Sequence, residues 1–336
     1  MATKSEVFYD SKCVTHPPPP YYQNIYTPAS SSTARDSIRI EYAGKLISPL
    51  FSFLRNKQKR KTVLSHIRDI ISDSNFASSS IVPTVNACAA AISPTEFSNL
   101  LQKPNIEGHT AMYWAIVNHQ PEAFSAFAAF IPKFSSVCSS DLRLACMFTS
   151  NHALFTQLNL GRVINRKDNA LRNFLGCPPD EVQVHDAGDG LHKIKFNICF
   201  CIRMFQKRLL MRQQLGIEFV AAGRIWLFQI FSMALDGLWR IFLSLSKESL
   251  PACPEAVLVI EAHSGKHDCA TPPQDLRLLP VTNSQSMFLQ VASQESVALS
   301  DATLFTWRLK DWFLNENTMY VDRNGALHAK LEVTLI

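Results

Sequence analysis

The longest strongly apolar run of the chain, Phe219 to Leu245 (FVAAGRIWLFQIFSMALDGLWRIFLSL), constrains its fold more than any other feature. A hydrocarbon span needs roughly 20 apolar residues in a row, and Arg224, Asp236, Gly237 and Arg240 divide the run into shorter pieces. No integral membrane segment is expected, and membrane association through this run stays as an alternative only. Trp, Phe and Ile are dense on both sides of Asp236-Gly237. Aromatic and β-branched side chains suit a pleated surface and Asp-Gly suits a turn, so two buried strands joined there are expected.

A chain of 336 residues has room for two domains at roughly 100–200 residues each. Hydrophobic content of 47% against 18% charged supplies a sizeable core. Nucleic-acid binding shows as clustered charge, and a net charge of +5 does not by itself imply it. Nine cysteines without a repeating frame do not read as the disulfide scaffold of a small secreted domain. The start MATKSEVFYD carries no apolar signal region and the chain holds no Asn-x-Ser/Thr site. These features together favour a cytoplasmic location, with a nuclear one as an option.

Residues 1–37 combine Pro17 to Pro20 with Tyr21, Tyr22 and Tyr26 and with Ser30 to Ser32, a composition that buries too little surface to offset ordering entropy. A disordered tail is expected. The run Arg55 to Lys61 has five cations in seven positions and reads as a solvated link into a helix or as a nuclear address. Leu64, Ile67, Ile70 and Ile71 then recur at helical spacing.

Between Thr84 and about residue 160 the text repeats. Asn105 to Ile116 (NIEGHTAMYWAI) resembles the opening of an ankyrin repeat, a turn glycine followed by Thr-Pro-Leu-His-x-Ala. Gly108, Thr110, Met112 and Ala115 stand in matching places, with Ala111 for proline and Tyr113 for histidine. A second helix begins near Pro121, and Ser140, Leu142, Ala145 and Leu154 follow 30 positions after Thr110, Met112, Ala115 and Phe124. An earlier copy runs from Thr84 through Ala89 to Leu100 and Leu101, its second helix opened by Pro94. A generic helical bundle is the rival reading. The ankyrin resemblance implies a protein-binding surface and no reaction, with His109, Tyr113, Trp114 and His119 as candidate contact residues.

Gly176-Cys177-Pro178-Pro179 marks a boundary, and a short helix is expected around Asp168 to Leu175. After it, a turn at Asp186 to Gly190 leads to Ile194, Phe196, Ile198, Phe200 and Ile202, which share one face of a strand at period two. Phe219, Gly223 and Trp226 resemble the F-x-x-x-G-x-x-W signature of the MATH domain, the sandwich shared with the TRAF family. Ala256 to Glu261 would supply an intervening strand, and Tyr320 to Val333 is similar to that family's closing pair of strands. The resemblance implies recognition of short extended peptides along a sheet.

The expected organisation is an α+β multidomain chain. It comprises the tail (1–37), a helical ankyrin-like repeat stack (38–160), a linker (161–181) and a MATH/TRAF-like antiparallel β-sandwich (182–336). The expected function is a non-enzymatic adaptor that binds a protein or an extended peptide, with substrate recruitment to a ubiquitin ligase as a setting implied by resemblance. A hydrolase using a Cys/His pair is the enzyme alternative, and no catalytic residue is assigned to it. Cys253, His263, His267 and Cys269 fit no structural zinc spacing, so no metal site is assigned. No phosphate loop appears among only 11 glycines, and no cofactor is expected. Lys207, Arg208 and Arg212 beside Phe205 and Met211 read as snorkelling cations in preference to a nucleic-acid contact.

Overall fold

The computed structural model describes residues 44–72, 78–161, 166–186, 194–232, 238–263, 274–280, 303–309 and 318–336. The expected tail, the turns at 187–190 and at Asp236-Gly237, and the loop residues His267 and Cys269 lie outside them. The chain divides into two compact units, Met1–Phe51 and Ser52–Ile336. Of the first unit only 44–51 is described, as helix.

Helices come first: α1 (Gly44–Ser72), α2 (Ser78–Ala91), α3 (Pro94–Leu101), α4 (Ala111–Val117), α5 (Pro121–Ala128), α6 (Ser136–Phe148), α7 (His152–Gln157) and α8 (Arg166–Leu175). Their starts are written in the sequence. Ser93, Thr110, Ser135 and Asn151 each accept a backbone N–H from the first turn, satisfying donors that would otherwise be orphaned. Pro94 and Pro121 open α3 and α5, where a missing N–H costs nothing. The basic run Arg55 to Lys61 lies inside α1 with every residue exposed, while Ile67, Ile70 and Ile71 of the same helix are buried.

The turn from α4 to α5 recurs between α6 and α7. His119 (φ 54°) and Ser150 (φ 53°) occupy the left-handed region at equivalent places. The same bonds close both turns: His119 and Gln120 donate to Ile116 and Ala115, and Ser150 and Asn151 donate to Met147 and Cys146. That spacing is 31 positions, from 119 to 150, against the 30 expected. Thr110 and Ser140 are not equivalent, because Thr110 caps α4 whereas Ser140 lies within α6, capped five positions earlier by Ser135. The longer first helix absorbs the difference. Met112, Ala115, Leu142 and Ala145 nonetheless all face the helical core.

The strands are β1 (Glu181–Asp186), β2 (Ile194–Ile202), β3 (Gln214–Ala221), β4 (Arg224–Ser232), β5 (Trp239–Leu245), β6 (Pro254–Ile260), β7 (Leu276–Leu278), β8 (Thr303–Leu309) and β9 (Leu327–Leu335), with helix α9 (Phe205–Arg212) between β2 and β3. They form two antiparallel sheets, ordered β1-β2-β9-β6-β7 and β3-β4-β5-β8. Both sheets contribute to one hydrophobic core that includes Phe196, Phe228, Trp226 and Trp307. Phe196, Ile198, Phe200 and Ile202 share its buried face as their alternation requires, while Ile194 at the strand start is 57% exposed. Together with the helices this is an α+β chain.

The run Phe219 to Leu245 holds one turn more than expected. Ala222 (φ 50°) and Gly223 (φ 68°) form a two-residue turn between β3 and β4, both residues having the positive φ that such tight hairpins require. β4 then pairs with β5 as expected. Phe219 and Trp226 face each other across the first hairpin, and the Trp226 indole donates to the Ala221 carbonyl at 3.0 Å. Val220 and Ile225 point the other way and belong to the helical core. The hairpin is rich in apolar residues because its two faces are buried in different cores. At the C-terminus only one strand forms. Asp322 to Gly325 make a turn closed by a single bridge, Val321 to Leu327, in place of the expected strand pair. Asp322 accepts the Asn324 and Ala326 N–H groups there, diverting the backbone from a ladder.

The 161–181 segment contains α8, whose Asp168 is buried against Arg208 of α9. Among the described residues no helix is long and apolar enough to cross a membrane.

Candidate functional site

His109, Tyr113 and Trp114 come together at the start of α4. The Ile106 to His109 bridge, with Gly108 at φ 81°, returns the chain so that the three rings cluster. His109 stacks on Tyr113 at 3.8 Å between centroids, and the Trp114 indole donates to the Ile106 carbonyl at 2.8 Å. His109 Nδ1 lies 2.6 Å from Asp141 Oδ1, while Asp141 Oδ2 accepts the Thr110 N–H at 2.6 Å. Asp141 belongs to α6, so this carboxylate ties one helix pair to the next. Tyr113 has its phenol pKa raised, by burial and then by the Asp141 charge. His119 stands apart, exposed in the turn after α4.

A trough between α1 and α2 encloses about 610 Å³. Arg55, Lys59, Thr62, Val63 and His66 form one wall, at spacings that keep them on one helical face. Pro83, Ala87, Cys88 and Ala91 form the other. No residue of α2 is charged, and Val82, Pro83, Ala87, Ala90 and Ala91 are exposed along it. The wall on α1 carries cations and no carboxylate.

No family model, curated protein or solved structure matches the chain. The sites therefore rest on their own geometry.

Only one cysteine–histidine contact is present among the described side-chain bonds. Cys201 Sγ lies 4.0 Å from His328 Nε2, and the same nitrogen lies 3.2 Å from Asp322 Oδ2. A catalytic pair needs that nitrogen empty to take the thiol proton, with the carboxylate on the other nitrogen. Here one nitrogen serves both neighbours. Burial raises the Cys201 pKa, with nearby Glu181, Asp322 and Asp180 adding to it against Arg203. Burial would also raise the Asp322 carboxyl, but the N–H groups of Ala326 and Asn324 and the His328 ring hold it below its ordinary value. The cluster fastens the turn before β9.

Cys199 and Cys201 are both free thiols. Burial pushes the Cys138 and Cys146 thiols up to about 12, which suppresses the thiolate. Cys253 is exposed, and His263 lies beside His328, its Nε2 buried without a partner among the described residues. No described group of three or more His, Cys, Asp or Glu residues is placed to hold a metal ion.

Arg208 corrects the reading of the basic 207–212 segment as snorkelling cations. Its side chain is 2% exposed, makes paired bonds to both Asp168 and Asp180, and also donates to the Arg203 carbonyl. The two carboxylates hold its charge against the cost of burial.

Sequence reasoning missed the seam between helices and sheets. Arg143 of α6 pairs with Glu218 of β3 through two bonds, 2.6 and 3.1 Å, with side chains 6% and 4% exposed. His152 of α7 accepts the Val220 N–H at Nδ1 and faces the Val182 carbonyl with Nε2, so it spans an edge strand of each sheet. Ser150 takes the Gly223 N–H at 2.8 Å. A lone carboxylate inside Ile217-Glu218-Phe219 was the available signal, though its partner lies 75 positions away.

Proposed function

We propose that the chain is a non-enzymatic protein-interaction adaptor, its helical region an ankyrin-like stack and its sheet pair a MATH/TRAF-like sandwich. The α1–α2 trough carries this reading: it is a concave, largely apolar surface with cations on one side only, suited to a partner and lacking a reacting constellation. The repeated turns at His119 and Ser150 support the stack. Two antiparallel sheets around one core support the sandwich. Extended-peptide recognition by the sheets, and recruitment to a ubiquitin ligase, follow from the family resemblance.

The test uses the full-length chain carrying a photo-crosslinking residue at Ala87, Tyr113 or Lys195, with Glu255 as a control position. Discrete protein adducts at one of the first three sites are expected. Adducts no different from the Glu255 control at all three sites would remove the adaptor reading. The hydrolase alternative would have to rest on Cys201 and His328, whose single shared nitrogen speaks against it. If Cys201 reacts with iodoacetamide no faster than an ordinary thiol, that alternative loses its nucleophile.

A further inference from the structure

A stack of helix pairs needs a covered or polar surface at each end. At the α6–α7 end, the β3–β4 hairpin supplies that cover, with Val220 and Ile225 completing the helical core. The α2 end differs. Its solvent face presents Val82 at 52% exposure together with Pro83, Ala87, Ala90 and Ala91, with Asn86 the polar residue among them, and the helix bears no charge. An exposed helix normally turns a charged or polar face to water, and a largely apolar exposed surface marks a contact.

From these observations, and resting on the adaptor reading, we infer that the α1–α2 trough docks an acidic amphipathic helix of a partner protein. Shape and charge define the occupant. The α1 wall from Arg55 to His66 covers about three helical turns, roughly 16 Å at 1.5 Å per residue. Two neighbouring helices with a trough between them offer the ridge-and-groove seat that a third helix fills. Ala87 and Ala91 are small enough for the partner backbone to approach α2, and the partner's apolar stripe lies against them and against Val63. Its acidic flank faces Arg55 and Lys59; His66, at the far end of the wall, already lies 3.9 Å from Asp69. Arg60 is already paired with Glu96, so it contributes less. Nucleic acid fits less well, because the uncharged α2 wall offers phosphates nothing.

The experiment measures fluorescence anisotropy of the full-length chain with a labelled designed peptide of about 15 residues, four helical turns, bearing Leu and Ala on one face and Glu on its flank. Two controls accompany it: the same peptide with every Glu replaced by Lys, and a peptide of identical composition with the apolar order scrambled. The amphipathic Glu peptide should bind, and more weakly as salt rises. The Arg55→Glu/Lys59→Glu double variant should weaken it by about tenfold through charge, and Ala87→Trp by about tenfold through filling the trough. All three substitutions are at exposed positions, so the fold is retained. Equal binding by the Lys or scrambled peptide, or unchanged affinity in both variants, overturns the inference. A DNA duplex that binds with affinity lost in Arg55→Glu/Lys59→Glu but kept in Ala87→Trp also overturns it, identifying a polyanion face. If the peptide fails while crosslinking at Tyr113 or Lys195 still gives discrete adducts, this inference falls and the adaptor reading stands.

Discussion

The helical layer and the sheet pair solve the problem of burial in opposite ways. The sheets close on a core of large aromatic side chains, and the charges beside it are matched: Arg208 meets Asp168 and Asp180. The helices pack through small residues, Ala89, Ala111, Ala115, Ala123 and Ala145, which let axes approach but leave the arrangement open at its ends. The sheets cover one end. The other carries the uncharged face of α2. A layered core always has a last layer, and the proposed docking surface lies on it.

The sharpest way to break that comparison is Arg208→Ala. Asp168 and Asp180 would lose their shared cation, with Arg172 and the Arg203 N–H still on Asp180, at a cost of about 3 kcal/mol. Chemical denaturation followed by far-UV circular dichroism and by tryptophan fluorescence should show both signals shifting together, since the seam joins the regions. Loss of the fluorescence transition alone, with the helical signal unmoved, would mean the regions unfold separately.

The second test acts on the seam itself. Glu218→Ala strands the Arg143 guanidinium between Phe155 and the Leu160 carbonyl and should cost about 3 kcal/mol. Replacing both partners, Arg143→Leu with Glu218→Leu, should cost clearly less than the sum of the single changes. Strict additivity in a denaturant double-mutant cycle would show that the pair does not couple the layers.

Local chemistry made much of this legible in the sequence. Thr110 and the two prolines announce helix starts, whereas Ser135 escapes because the repeat spacing points to Ser140, and the period-two face of β2 is readable from Phe196 to Ile202. The hairpin at Ala222-Gly223 was not, because alanine at positive φ gives no signal and its MATH-like spacing drew attention to Gly223 as a motif position. Both-sided burial of Val220 and Ile225 also looks the same in sequence as burial in one core. The ion pairs were hidden for a different reason: Asp168, Asp180 and Arg208 meet through folding, and no local period records that. Of the candidate contact residues, His109, Tyr113 and Trp114 form a cluster, yet the trough lies on residues singled out for other reasons or not at all.

Asp141 tests whether the helix pairs are bound to each other by more than packing. Asp141→Ala leaves the buried Thr110 N–H without its acceptor and the His109 ring without its partner, with an expected loss of about 1–3 kcal/mol. Asp141→Asn keeps one acceptor oxygen and should recover part of that loss. Equal stability of the wild type and Asp141→Ala would show that the link between α4 and α6 is apolar alone.

The smallest effect, and the most specific to the seam, is the pH response of His152. Burial holds its pKa below the ordinary histidine value, the bond to the Val182 carbonyl opposing this only in part. The Val220 N–H requires an unprotonated Nδ1, so the folded chain favours the neutral ring. The unfolded chain takes up the proton first as pH falls past about 6.5. Stability contributed by His152 is therefore full above that pH and declines as pH falls toward the lower folded value, with a slope of at most about 1.4 kcal/mol per pH unit. His152→Gln retains an amide that accepts from Val220 and donates to Val182 without titrating. Denaturant midpoints measured between pH 5 and 8 should show a shallower acid-side slope for this variant, other groups cancelling in the comparison. Parallel curves would mean that the ring titrates alike in both states and that the seam does not depend on its neutral form.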